Sequence, residues 1–328
     1  MAARVTNRIR RGIVLGGGGV LGGTWAVGAL VALEKSFGFD PTQVDVIVGT
    51  SAGSVLAAML GAGVTPEQLR QRYNDEPVTS GPLAGFDWDP DAAIGGHRPG
   101  FPKVLGPGSI RLIGNSLLHP TSVPATAVLA AFMPEGTKTM AGVGRLIDGV
   151  TPIGEWSPHP ACWIVAMDYD TGRRVVFGRP GSIVAPLSSA VMASCSIPGW
   201  FAPVPIGGRP FVDGGAVSAT SVDVVEHAGL DEVYVIAPMV SFERDHPRSA
   251  VARLERRWRV EVTKACLAEA AAVSASGALV RIIGPGPEDL EAIGANMMDS
   301  SKRTLVLATS LRTSGPAWQE SLPQSAEG

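Results

Sequence analysis

Gly49-Thr50-Ser51-Ala52-Gly53 follows a β-branched run, Val44–Val48, and precedes a small apolar run that ends at Gly61. Between a strand and a helix, G-x-S-x-G lifts the serine hydroxyl out at the C-terminal edge of a sheet. The helix N-terminus there favours developing negative charge, so the chemistry is nucleophilic attack on a carbonyl. The same string also makes a tight packing corner. A second cluster, Leu15-Gly16-Gly17-Gly18-Gly19-Val20-Leu21-Gly22, leaves consecutive backbone N–H groups free to converge on an anion. Gly17-x-Gly19-x-x-Gly22 fits the dinucleotide string, which requires an acid at the far end of the next strand. That strand ends instead at Gly49-Thr50-Ser51, with Asp45 at its other end. No Gly-Lys-Ser/Thr follows, so a P-loop is excluded and an acyl oxyanion is left as the ligand. The third signal is Phe211-Val212-Asp213-Gly214-Gly215, a carboxylate at a strand end whose two glycines permit close approach to another turn. An ordinary Asp-Gly turn reads the same way. Asp168 and Asp170 compete for the role, although Asp170-Thr171-Gly172 is better read as a hairpin turn.

These residues need a frame. Gly12–Leu15 reads as a buried strand, Leu21–Phe37 as a helix stopped by Gly38, Val44–Val48 as a strand and Ser51–Gly61 as a buried helix. A β-α-β-α order implies a parallel sheet covered by helices. From 76 to 124, prolines and glycines interrupt a recurrence of aromatic and leucine side chains, which predicts an irregular, lid-like insertion. Beyond it come a hairpin (Trp163–Asp168 and Arg174–Phe177), a helix (Pro186–Ser196), and strands at Arg209–Val212, Glu232–Ala237 and Ala278–Ile283. Arg248–Val273 reads as a basic amphipathic helix. Its stripe of Val251, Leu254, Trp258 and Val262 is expected on the core, and Arg253, Arg256, Arg257, Arg259 and Lys264 on solvent or an anionic membrane. Pro287–Thr313 reads as mostly helix, and 314–328 as a disordered tail.

The 328 residues are 45% hydrophobic and 17% charged, enough for a large core and unlike a disordered chain. A net charge of -3 gives no broad pull toward nucleic acid. Cys162, Cys195 and Cys266 are scattered and odd in number, which fits a reducing compartment and hence a cytoplasmic chain. Gly12–Leu33 and Val46–Pro66 carry no charge over lengths that could cross a bilayer. Their internal glycines make poor spanning helices, and those of the first also break up a signal peptide after Arg8, Arg10 and Arg11. No His, Cys or acidic cluster has metal-ligand spacing, so no metal or cofactor is expected.

Together the three motifs resemble the patatin family of serine acyl hydrolases. Gly17–Gly22, Gly49–Gly53 and Asp213–Gly215 stand in that family's order, and Ala193-Ser194-Cys195-Ser196-Ile197-Pro198 through Phe201-Ala202-Pro203-Val204 is similar to its block before the aspartate. The resemblance covers roughly residues 10–240. It implies a three-layer α/β/α fold with a mostly parallel central sheet and a catalytic domain at 10–240, and the helix-strand-helix read at 241–313 is expected to complete that domain. It also implies a Ser51–Asp213 dyad acting on ester lipids through an acyl-enzyme. The oxyanion would rest on N–H groups of Gly17, Gly18, Gly19 and Ala52, framed by Gly22, Gly49, Gly53, Gly214 and Gly215. Because a free aspartate is a weak base, Asp213 is expected to be partly desolvated. Two departures stand out: Leu21 replaces a basic residue of many relatives, and Ser218-Ala219-Thr220-Ser221 replaces their Asn and Pro.

Two rival readings use the same residues. One is an α/β-hydrolase triad of Ser51, Asp213 and His227 or His246, whose elbow normally follows several strands rather than the single one here. His97, His119 and His159 are scattered as well. The other is a non-catalytic lipid-binding module on a hydrolase fold, against which the presence of both Ser51 and Asp213 counts. Acyl preference, head group and oligomeric state are not legible in the sequence.

Overall fold

The computed structural model describes residues 8–86, 107–118, 124–243, 245, 247 and 249–321. Strand β1 (Arg11–Leu15) feeds helix α1 (Gly19–Phe37), then β2 (Val46–Thr50) and α2 (Ala52–Gly61). Helices α3 (Pro66–Tyr73), α4 (Ile110–Leu118), α5 (Ala125–Phe132) and α6 (Ala141–Asp148) come after them. Next are β3 (Cys162–Asp168), β4 (Arg174–Phe177), α7 (Leu187–Cys195), β5 (Val204–Ile206), β6 (Arg209–Asp213) and β7 (Glu232–Ile236). The described chain closes with α8 (Ala250–Ala275), β8 (Leu279–Ile283), α9 (Pro287–Ile293) and α10 (Arg303–Glu320).

The strands form one sheet in the order β5-β6-β3-β2-β1-β7-β8, with β4 on β3. Its centre is parallel, from β3 through β2, β1 and β7 to β8, while β4 and β6 pair antiparallel with β3, and β5 pairs antiparallel with β6. Both faces are covered, which is why β1 and β2 read as nearly unbroken apolar runs. Ile13, Leu15 and Ile47 pack with Trp25, Leu30, Leu56 and Trp318 on one face. Val14, Val46 and Val48 pack with Val262, Cys266, Ala270 and Val273 of α8 on the other. This is the three-layer α/β/α arrangement.

One register sets the geometry around Ser51. Thr50 at the end of β2 pairs with Val165, and Asp213 at the end of β6 pairs with the next residue, Ala166. Since β4 occupies the other edge of β3 from Ile164 to Met167, β2 and β6 run head to head along one edge.

Several sequence expectations are corrected. Helix α10 continues to Glu320, although the sequence reads as a disordered tail from 314. Its Trp318 is fully buried and donates from Nε1 to the Ala29 carbonyl of α1 at 3.0 Å. Gly28 lets the two helices touch: a Cβ there would lie 2.7 Å from Ser310 Cβ. Within the supposed irregular stretch, Ile110–Leu118 is helical, with Leu112 buried against α5 residues and Met167. Of the rest of that expected lid, 87–106 and 119–123 lie outside the described residues. In α8, Val251, Leu254 and Trp258 are exposed rather than core, whereas Arg259 is buried. Arg256 is engaged by Asp245 and Glu255. Among the described residues, no helix is long and apolar enough to cross a membrane. The three cysteines are free and buried.

Candidate active site

Ser51 sits between β2 and α2 with φ 54° and ψ -127°, a conformation sparsely populated by non-glycine residues. Packing enforces it. A Cβ on Gly49 would lie 2.6 Å from Ser54 Cα, and one on Gly53 2.7 Å from the Gly16 carbonyl oxygen. Only glycine lets α2 start this close to β2 and to the turn after β1.

The C-terminal end of α7 holds this turn in place. Ser51 N–H donates to Ser194 Oγ at 2.9 Å, and Ser194 Oγ in turn donates to the Val165 carbonyl at 2.6 Å. The Ser51 carbonyl accepts from Ser54 Oγ at 2.6 Å and from the Cys195 thiol at 3.3 Å. Burial pushes that thiol up to about 12, with the Asp213 charge adding to the shift, so it remains a neutral donor. Asp213 N–H donates to the Ser196 carbonyl at 2.9 Å. Three consecutive residues, 194 to 196, therefore fix the backbone of both Ser51 and Asp213.

Ser51 Oγ donates to Asp213 Oδ2 at 2.7 Å, with both residues buried. Asp213 Oδ1 accepts the Gly215 N–H at 2.7 Å. Burial pushes the carboxyl up to about 6, and the hydrogen bonds from Ser51 and Gly215 oppose the shift. A carboxylate with this affinity for protons can take one from a serine during attack on a carbonyl. Gly214 is needed because a Cβ there would lie 3.0 Å from the Val165 carbonyl carbon.

The glycine loop lies against the same serine: a Cβ on Gly17 would be 3.1 Å from Ser51 Cβ. Its Gly17 N–H, however, donates to the Ala219 carbonyl at 2.8 Å. Gly17 is thus withdrawn from the expected set of oxyanion donors, and its N–H is structural. Gly18, Gly19 and Ala52 have no backbone N–H bond of this kind among the described residues. Gly22 is helical, and its N–H donates to the Gly18 carbonyl at 2.9 Å. The turn 218–221 that departs from the family pattern supplies the Ala219 acceptor. It is tied to α8 by Glu269, which accepts from Ser218, Thr220 and the Val222 N–H. Leu21, the other departure, is fully buried.

Behind the loop stands a residue whose role the sequence conceals. Arg259 donates to the Pro238 carbonyl at 2.6 Å, contacts Met297 Sδ at 3.5 Å and pairs with Glu255. Pro238 and Met297 are what the loop leans on: a Cβ on Gly18 would be 2.7 Å from Pro238 Cβ, and Leu21 N–H donates to the Met297 carbonyl at 2.9 Å. One of five positive charges on a helix looks like a solvated face, and nothing in the local pattern distinguishes Arg259 from its neighbours. Ser194 is visible within the Ala-Ser-Cys-Ser block, but its partner is not.

Two spaces open on Ser51. An apolar pocket, about 680 Å³ including its open mouth, is lined by Val20, Val55, Tyr73, Leu146, Phe201 and Met298, with Arg303 in the wall. A wider cleft carries Gly17, Gly18, Gly19, Ser51 and Asp213 together with Leu129, Met133, Trp200 and Trp258. Neither described histidine is hydrogen-bonded to Ser51 or Asp213. His159 is bonded to the Val44 carbonyl and His227 is exposed beside Glu226; His97, His119 and His246 lie outside the described residues. No cluster of metal-ligating side chains occurs among the described residues.

A doubly covered α/β sheet that presents a buried serine–carboxylate pair beside an apolar pocket is built like an ester hydrolase. The family model "Patatin-like phospholipase" matches residues 13–77 and 155–225. Over those two segments the chain is similar to that family of lipid ester hydrolases. The matched segments hold the glycine loop, Ser51, Ser194 and Asp213, whereas α4 to α6 and α8 lie outside them. Among solved structures, VipD from Legionella pneumophila is similar at 13% identity and a TM-score of 0.43, over 95% of this chain and 67% of that one. The type III effector protein ExoU is similar at 16% identity and a TM-score of 0.34, over 95% of this chain and 53% of that one.

Proposed function

We propose that this chain hydrolyses ester lipids with Ser51 as nucleophile and Asp213 as its base. Ser51 Oγ attacks the ester carbonyl carbon, its proton passes to Asp213 Oδ2, and the carbonyl π electrons move onto oxygen. Gly18, Gly19 and Ala52 N–H groups are the donors for that oxyanion, reinforced by the N-terminus of α2. Collapse breaks the bond to the alcohol, which leaves with the proton held by Asp213. Water then attacks the acyl-enzyme, giving a proton to Asp213, and Ser51 is expelled and reprotonated as the acid departs. The apolar pocket suits the acyl chain and the open cleft the alcohol portion.

The observation that carries this reading is the 2.7 Å bond between two buried groups, Ser51 Oγ and Asp213 Oδ2. Labelling by a fluorophosphonate probe tests it, with release of fatty acid from phospholipid measured alongside. Wild type should label and turn over, Ser51→Ala should do neither, and Asp213→Asn should lose turnover. Unchanged turnover in either variant would refute the assignment.

A further inference from the structure

The first half of α8 projects an apolar stripe that nothing in the described chain covers. Val251 and Leu254 are each 68% exposed and Trp258 46%, and their spacing puts them on one helix face. Burial begins only further along, at Val262, Cys266, Ala270 and Val273. Helix α5 and the residue after it repeat the pattern: Leu129, Phe132 and Met133, at i, i+3 and i+4, are 64%, 57% and 43% exposed. The two stripes meet, because Leu129, Met133 and Trp258 line the cleft that contains Ser51 and Asp213. Three of these six exposed side chains line the site itself and the other three extend the two stripes away from it, an apolar patch larger than scattered surface residues make.

Charge lies alongside. Of the arginines in this half of α8, Arg256 and Arg259 are held by Asp245 and Glu255. Arg253 and Arg257, one turn apart, remain exposed in a groove with Phe242, Glu243 and the already paired Asp245. A helix with Trp and Leu on one face and Arg at its flank is suited to lie in the plane of an anionic bilayer.

We propose that α5 and the first half of α8 form a docking surface for an anionic lipid bilayer, which places the Ser51 cleft on its substrate. The proposal rests on the ester-lipid reading of the site. A protein partner seated on these stripes would close the cleft through which an ester reaches Ser51. A bilayer seated there supplies the ester.

The test uses the full chain and sedimentation with vesicles of phosphatidylcholine alone or mixed with phosphatidylglycerol, beside hydrolysis of a soluble short-chain ester. Wild type and Ser51→Ala should bind the mixed vesicles alike. Val251→Ser/Leu254→Ser should lower partitioning at least tenfold while the soluble ester is hydrolysed at the wild-type rate. Arg253→Gln/Arg257→Gln should remove the preference for the anionic mixture. Phe132→Ser on α5 is an independent variant that should weaken binding, whether or not the α8 pair folds. Unchanged partitioning in these variants overturns the proposal, as does a shift from dimer to monomer by light scattering with vesicle binding intact, which would make the stripe a protein interface. If wild type hydrolyses no ester yet binds vesicles through these residues, the catalytic reading fails and the docking surface stands.

Discussion

Thr50 and Asp213 occupy consecutive registers on one edge of β3, opposite Val165 and Ala166. A parallel strand and an antiparallel strand thus approach each other end to end, and the residue following Thr50 meets the last residue of β6. Two side chains 162 positions apart in sequence are brought to 2.7 Å by sheet register rather than by flexible loops. Sites carried on rigid elements hold their geometry, and proximity of this kind is a large part of a catalytic rate.

The first consequence concerns pH. With Asp213 pushed up to about 6, its carboxylate form, the one able to accept a proton, is lost below that value. We expect kcat/KM on a soluble ester to rise tenfold per pH unit up to about 6 and then level off. A profile flat down to pH 4 would contradict the buried-base assignment.

The same burial acts on stability with a definite sign. Asp213 binds its proton more tightly folded than unfolded, so between its ordinary value of 3.8 and about 6 the native state holds more protons, and stability falls as pH rises. At about 1.4 kcal/mol per unit, ionised Asp213 costs the fold on the order of 3 kcal/mol above pH 6. Asp213→Asn should therefore melt higher than wild type at pH 8, with the advantage vanishing below pH 4. Thermal melts at the two pH values check this.

Ser194 holds the Ser51 N–H and is itself held by the Val165 carbonyl. Ser194→Ala leaves a buried donor unsatisfied, at about 1–3 kcal/mol of stability. Loosening the nucleophile's turn should also lower kcat by about 10²-fold. KM for a soluble ester should change little, because no substrate-facing group is lost. Steady-state kinetics would separate the two parameters.

On the proposed mechanism, Arg259 acts through Pro238 and Met297 to position the loop that holds the oxyanion. Arg259→Met should lower kcat at least tenfold with KM near wild type, counted per active site by fluorophosphonate titration. It should also destabilise the fold by on the order of 3 kcal/mol as a broken buried pair. Arg259→Lys should restore part of kcat. Full kcat per labelled site in Arg259→Met, with only the melting temperature lowered, would reduce the residue to a structural brace.

Sequence patterns carry the parallel core, because β1, β2 and β7 are buried on both faces and their apolar runs are bounded by turn residues. They also carry the nucleophile turn, since Gly49 and Gly53 are there for contacts that any side chain would block. Helix α3 opens on a legible capping box, Thr65-Pro66-Glu67-Gln68, whereas α4 to α6 and the short strand β5 are less legible. Their local signals are weak, and they are held largely by partners remote in sequence, as Leu112 is by Met167. Gly17 shows the limit for the site: a glycine in an anion-binding string looks the same whether its N–H is free or bound, and Ala219 decides which. Arg259 and the α8 stripe mislead for one reason. Helical spacing tells which residues share a face but not which face meets the sheet.

The clasp between Trp318 and Ala29 has a bearing on biosynthesis. The backbone amide of Leu21, just beyond the glycine turn, is bonded to the carbonyl of Met297, and α1 is flanked along its length by α10. While a ribosome still encloses those late residues, the nascent polypeptide has its serine and aspartate but lacks the wall that shapes the loop beside them. The loop beside the serine therefore takes its final shape only after these late residues have been made.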